Sequence, residues 1–319
     1  MEWERLWPEC SEQSLLQSWF YGEAKADSDN LEVKYLALVD KSEIVSIVQI
    51  LIKKIPFAGS LVRINRGPIV VGEINENEKN KILVNSIITV LQECKRRRWL
   101  MLQIAPELSS SEEMEGRLKH IGLRKLSAPA WASGLLPIGV SEEDILMSFN
   151  GKWRNCLRKG WKLGVKASLS SDLEKDIQVV NDFYKNLQKD KNFVGLSESL
   201  LQTMSQKRHR FWNFNIFFAK SKEKGRIEDI LGILVSVDYG DKSMYLIGVT
   251  SKEGRKLQAN YVLLWEAILE AKRKGCIFFD IGGLNETTPL GIAHFKKGIK
   301  AVPYSLVGEW RAFNIPKFF

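Results

Sequence analysis

Residues 257–310 switch from one hydrophobic period to another and back, and few folds accommodate that order. Leu257, Tyr261, Leu264, Ile268 and Ala271 recur at steps of four and three, which predicts an amphipathic helix. Lys272, Arg273 and Lys274 then complement the negative end of its dipole, and Gly275 is placed to end it. The apolar run 277–281 suits a short strand covered on both faces. Gly282 and Gly283 break that run, and a strand that stops at a glycine pair opens space at its carboxyl edge. A short helix carrying Phe295, Lys296 and Lys297 follows, and then a last strand, YSLVGEW. Chemistry is expected at the glycine pair, beside Lys296.

At 319 residues the chain is long enough for two domains with separate cores. Its four cysteines are far apart and show no CxxC pairing, which implies a reducing compartment. The three histidines have no ligand spacing to one another or to cysteine, so no metal is expected. The N-terminus, MEWERLWPEC, lacks an apolar signal region, and no stretch is long enough to span a bilayer. A cytoplasmic location is expected. A net charge of +9 fits a polyanionic partner or a lysine-rich solubilising surface equally well.

Read in order, 11–21 suggests a short helix, and GEAKADSDN, with Lys25, a turn-rich loop. VKYLALV and EIVSIVQILIKKI, separated by DKS, read as a hairpin. A helix at 76–97 buries Leu83, Ile87, Val90 and Cys94; a strand at 99–104 and a helix at 111–120 follow. The second half repeats this order, and LQECKRRRWLMLQI echoes LEAKRKGCIFFDI. The expected fold is α/β: two domains of the GNAT acyltransferase type, 1–135 and 136–319, each with a mixed, mostly antiparallel sheet flanked by helices. In the segment 150–166 Trp153, Leu157 and Trp161 share one helical face, and Arg154, Arg158 and Lys162 its neighbour, with Lys159 alongside. Like charges one turn apart are mildly destabilising, so the row reads either as a contact for RNA phosphates or as a solvated basic face.

Taken together, QSWFYGEAK, RINRGPIV, SFNGKWRNCLRKGWKLGV, the long YLIGV…FDIGG segment and GIAHFKKG make the chain resemble the FemABX family. That family moves an amino acid from aminoacyl-tRNA onto peptidoglycan precursors and folds as two GNAT-like domains. The resemblance implies that Lys296 lies near the transferred acyl group, where an ammonium stabilises the developing oxyanion. Phe295 is its packing neighbour. Lys25 matches a lysine that grips substrate phosphate, although a solvated lysine reads the same. Trp19 and Arg66 are implied in the same N-terminal pocket. Tyr245 is implied to line the cleft, and Asp280 to orient the site or to accept loop N–H bonds. Where family members carry Asp-Pro, this chain has Ala105-Pro106, with Glu107 two residues on, which weakens a carboxylate-base mechanism. Residues 170–210 hold two ordinary helices, so the compact branch without a coiled-coil arm is implied.

The expected function is therefore transfer of an amino acid from aminoacyl-tRNA to an amine of a nucleotide- or lipid-linked peptidoglycan precursor. No metal or bound organic cofactor is expected. The alternative is an acyl-CoA N-acyltransferase acting on an amino sugar or polysaccharide precursor. Against it, SKEGRKLQAN and RINRGP both lack the Q/R-x-x-G-x-G/A turn that cradles pyrophosphate. The aromatic, basic tail GEWRAFNIPKFF reads as a packed terminus or as a contact with the inner face of the membrane.

Overall fold

The computed structural model describes residues 2–221 and 230–314; the tail residues 315–319 lie outside them. The chain divides into two units, Met1–Ala132 with Tyr304–Phe319, and Ser133–Pro303. The first runs α1 (Glu2–Leu6), α2 (Trp19–Asp29), β1 (Glu32–Asp40), β2 (Glu43–Ile55), β3 (Gly59–Asn65), β4 (Ile69–Val70), α3 (Glu76–Arg96), β5 (Met101–Ala105), α4 (Glu112–His120) and β6 (Arg124–Lys125). Then come β7 (Ala132–Pro137), α5 (Glu142–Ser148), α6 (Gly151–Lys162), β8 (Val165–Leu169), α7 (Leu173–Lys191), α8 (Glu198–Gln206) and β9 (Trp212–Ser221). They are followed by β10 (Ile230–Tyr239), β11 (Lys242–Thr250), α9 (Lys252–Lys256), α10 (Ala259–Arg273), β12 (Phe278–Asp280), α11 (Leu290–Lys297), β13 (Val302–Ser305) and β14 (Trp310–Phe313).

In the first unit β1 and β2 form the predicted hairpin, turning at Lys41 and Ser42, both with positive φ (46° and 71°). The sheet runs β1-β2-β3-β5-β14-β6, with β4 on β2. Only β3–β5 is parallel among these pairs, and α3 makes the crossover between them. The apolar face of α3 (Leu83, Ile87, Val90, Cys94) is buried as its spacing predicts, against Ile50, Ile64 and Ile104.

The second sheet runs β13-β7-β12-β11-β10-β9-β8. Every residue of β10 is buried, so this strand is covered on both faces. α10 crosses from β11 to β12, which pair in parallel over only three residues, Lys242–Met244 against Phe278–Asp280. The predicted stripe on α10 is wider than its spacing suggests, because Val262, Leu263, Trp265 and Leu269 are buried too.

Each sheet thus contains a three-strand meander, a crossover helix and a parallel strand: β1-β2-β3-α3-β5 and β9-β10-β11-α10-β12. The echoing sequences fall on α3–β5 and α10–β12. The strand beside β5 is β14, from the end of the chain, and the strand beside β12 is β7. The two sheets therefore exchange a strand, so residues after 303 do not stay with 136–303 as the simple division at 135 has them. Between β8 and β9 stand two helices, α7 and α8, packed on each other.

Two local readings are corrected. Residues 15–17 form only a short 3-10 turn, and GEAKADSDN is helical, forming most of α2. Ser18 caps α2 by accepting the Tyr21 N–H, and Asn30 ends it in the left-handed conformation (φ 52°). Lys25 accordingly projects from a helix.

Candidate active site

β11 and β12 part after Met244 and Asp280, and Lys296 comes to lie where they separate. Three features build this place. First, β11 bulges at Leu246, because Ser236 pairs with Tyr245 while Val235 pairs with Ile247. The bulge lets the Tyr245 side chain lie along its own strand over Gly248, where a Cβ would stand 1.5 Å from the phenol oxygen. Second, Gly282 has φ +72°, and a Cβ there would meet the Tyr245 carbonyl at 2.7 Å and Lys296 Nζ at 3.2 Å. Glycine is required on both counts. Third, α11 aims Lys296 inward. Its Nζ donates to the Gly283 carbonyl at 3.2 Å and sits 4.9 Å from the centre of the Tyr245 ring.

Lys296 is 6% exposed. Burial pushes its pKa down to about 8, partly offset by the negative charge of Asp280. At neutral pH the group is still mostly an ammonium. An ammonium has three N–H donors, and Gly283 takes one, so the remaining donors suit an incoming oxygen. Burial also pushes the Tyr245 hydroxyl up, so it stays protonated. Asp280 is buried, and its Oδ1 accepts the Gly282 N–H at 2.8 Å, as the loop-acceptor reading anticipates.

Phe295 faces away from this point into an aromatic cluster, 5.0 Å from Tyr261 and 6.2 Å from Trp153. Trp153 also packs on Phe149 and Tyr261, and the Asn150 N–H donates to the Gly298 carbonyl at 2.9 Å. The basic helix α6 is thereby fastened to the end of α11. Trp153 and Leu157 are buried, but Trp161 is 44% exposed, so the predicted apolar face is shorter than its spacing suggests. Arg158, Lys159 and Lys162 are exposed, whereas Arg154 is half-buried and donates to the Met147 carbonyl at 3.0 Å.

The first unit holds the other predicted residues. Trp19 stacks on Tyr35 with ring centres 4.0 Å apart, and Lys25 is ion-paired with Asp29 one turn on. Arg66, in the left-handed region (φ 53°), grips Glu107 with both arms of its guanidinium, between the rings of Trp131 and Tyr304 at 5.5 and 5.6 Å. Glu107 is thus an ion-pair partner.

Sequence reasoning missed Ser133, whose hydroxyl bonds Asp280, and Tyr261 under Phe295. A serine in ASGLLP carries no signal of its own, since only the exchanged strand brings it to the glycine pair. A cavity of about 130 Å³ elsewhere in the second unit is lined by Arg208, Asn213, Asn215 and Lys274. Its Lys274 is engaged, donating to Asn215 at 2.7 Å. Among the described residues no cluster suited to a metal ion occurs, and no helix is long and apolar enough to cross a membrane.

Residues 167–317 match the model of the FemAB family, over the part of the chain that contains the parting strands and Lys296. This segment is similar to the FemAB family. A crystal structure of FemX superposes with a TM-score of 0.78, at 18% identity, over 98% of this chain and 95% of that one. L-PGS from Bacillus licheniformis is similar in fold at TM-score 0.57 and 12% identity, covering 99% and 91%. A tandem GNAT protein from the clavulanic acid biosynthesis pathway matches at TM-score 0.52 and 9% identity, covering 90% and 85%. No curated protein is significantly similar in sequence. These folds agree with the paired GNAT-like architecture, and the FemAB match supports a transferase of the acyltransferase class.

Proposed function

We propose that the protein transfers an amino acid from aminoacyl-tRNA to an amine of a peptidoglycan precursor. The observation that carries the reading is a buried ammonium, Lys296, held at the carboxyl edge of β12 within the segment that matches the FemAB family. The neutral amine of the acceptor attacks the ester carbonyl, forming the C–N bond. The carbonyl oxygen becomes an oxyanion that the Lys296 N–H groups stabilise, an effect of about 3 kcal/mol for one well-aimed donor. Collapse breaks the bond to the tRNA ribose oxygen, which leaves with the proton given up by the amine. Ala105 supplies no base and Glu107 is paired with Arg66, so the acceptor amine arrives unprotonated. The exposed Arg158, Lys159 and Lys162 are the proposed RNA contacts; Trp19, Lys25 and Arg66 belong to the proposed precursor side. Neither a metal nor an organic cofactor enters this reaction. The proposed location is cytoplasmic, on precursors that are nucleotide-linked or carried at the inner membrane face.

The test supplies a fully charged tRNA mixture, with radiolabelled amino acids, to nucleotide- and lipid-linked peptide precursors, with acetyl-CoA as a competing donor. Label reaching a precursor from tRNA supports the proposal. Transfer from acetyl-CoA alone contradicts it.

A further inference from the structure

We infer that Ser133 and Asp280 are positioning residues for Lys296, bracketing the Gly282–Gly283 turn so that the Gly283 carbonyl faces the lysine. The inference rests on the proposed role of Lys296. Ser133 lies on β7, 1% exposed, and Asp280 ends β12, 2% exposed. The two strands pair antiparallel, with Leu135 opposite Asp280, and the Ile281 N–H continues the ladder to the Gly134 carbonyl at 3.0 Å. This register carries Ser133 past the end of β12 and over the turn. There its hydroxyl reaches Asp280 Oδ1 and, at 2.9 Å, the Gly282 carbonyl. Asp280 Oδ1 holds the Gly282 N–H at 2.8 Å. Side chains from two neighbouring strands thus meet both polar groups of one left-handed glycine, the single Ser133 O–H being shared between the Gly282 carbonyl and Asp280. The next carbonyl, that of Gly283, accepts from Lys296.

A serine and a carboxylate in this place are costly, because both are buried and Asp280 is flanked in the chain by the buried Phe279 and Ile281. An apolar pair would satisfy packing alone. What the polar pair adds is a turn of fixed shape and a negative charge close to the buried lysine. The packed elements bring up few other titratable groups. Tyr245 comes from β11, and Tyr261 from α10 in hydrogen-bond contact with Cys156 of α6. His294 and Lys297 neighbour Lys296 on its own helix, and Arg154 of α6 is turned to Met147.

The test is competitive acetylation of Lys296 by acetic anhydride across pH, read by peptide mass spectrometry, with exposed Lys162 as internal reference. The wild-type midpoint is expected at about 8. Asp280→Asn keeps an oxygen for the Gly282 N–H but removes the charge, so the midpoint falls by about one unit. Ser133→Ala keeps the charge but loosens the turn. Lys296 then reaches water, its midpoint moves up toward the ordinary lysine value, and its labelling rate at high pH rises. Ser133→Thr, which keeps the hydroxyl, behaves as wild type. Melting curves confirm that each variant is folded, and the Ala/Thr contrast stands even if Asp280→Asn is not. Wild-type behaviour in Ser133→Ala, or equal behaviour of Ala and Thr, overturns the inference. Because acetylation needs no substrate, this result is independent of whether the protein transfers an amino acid from tRNA.

Discussion

Lys296 sits buried where β11 and β12 part, with its ammonium against the Gly283 carbonyl. The motif HFKKG points to it, but nothing in a short helix with Leu290 and Ile292 exposed foretells that its penultimate residue is buried. Burial follows from the parting of β11 and β12, a long-range feature. It has a stability consequence. Lysine in the unfolded chain titrates near 10.5, and here near 8, so the unfolded state binds more protons between those values. The penalty for the buried ammonium is complete below pH 8 and fades as pH rises toward 10.5. Lys296→Met should therefore raise the unfolding free energy at pH 7 by about 2 kcal/mol, after allowing for the lost bond to Gly283. The gain should shrink through pH 8–10.5. Denaturant titrations of both proteins at pH 7 and pH 10.5 check this, and a variant less stable at pH 7 contradicts it.

Among the elements, α6 and α2 show how far local pattern reaches. The α6 spacing places Trp153 and Leu157 in the core, yet Trp161, one turn further on, is 44% exposed. At Gly160 α6 and α10 are in contact: a Cβ would stand 2.8 Å from Val262 and 3.4 Å from the Leu257 and Gln258 carbonyls. Gly160→Val is expected to cost about 1–3 kcal/mol, visible as a lower denaturation midpoint, since the new Cβ overlaps the packed Val262 side chain and its methyls press on the two carbonyls. The exposed row is a different case. Replacing Arg158, Lys159 and Lys162 by alanine should leave the midpoint unchanged or slightly raised. Filter binding of charged tRNA across salt should show the log–log slope reduced by about 2–3 if all three meet phosphates. An unchanged slope assigns the row to solvation. In α2 the turn-forming letters of GEAKADSDN outweigh the helix signal when read alone, and the deciding cap, Ser18, lies upstream of them.

At the scale of the whole molecule the repeated architecture was legible, because each half preserves its own hydrophobic periods and the basic end of its crossover helix. The strand exchange was not, because β7 and β14 look alike as short strands and their partners are distant in sequence. It predicts that residues 1–132 alone will not fold. They lack β14, whose Trp310 is fully buried, and Glu309, which holds Arg63 at 2.8 Å and Gln103. A fusion of 304–314 to that fragment through a flexible linker should restore dispersed amide resonances, and a folded 1–132 would contradict the exchange. The same exchange carries Ser133 to the turn that holds Lys296, so the candidate site is a product of the whole topology. The most direct test of the central claim is the single-turnover rate of transfer from aminoacyl-tRNA, measured against pH for wild type and Lys296→Met. The rate should be about 10²–10³-fold lower in the variant, and the wild-type rate, which climbs with pH as the acceptor amine loses its proton, should level off through about 8, where the ammonium is lost. A variant that transfers at the wild-type rate, or a wild-type rate that keeps rising above pH 8, would contradict the claim.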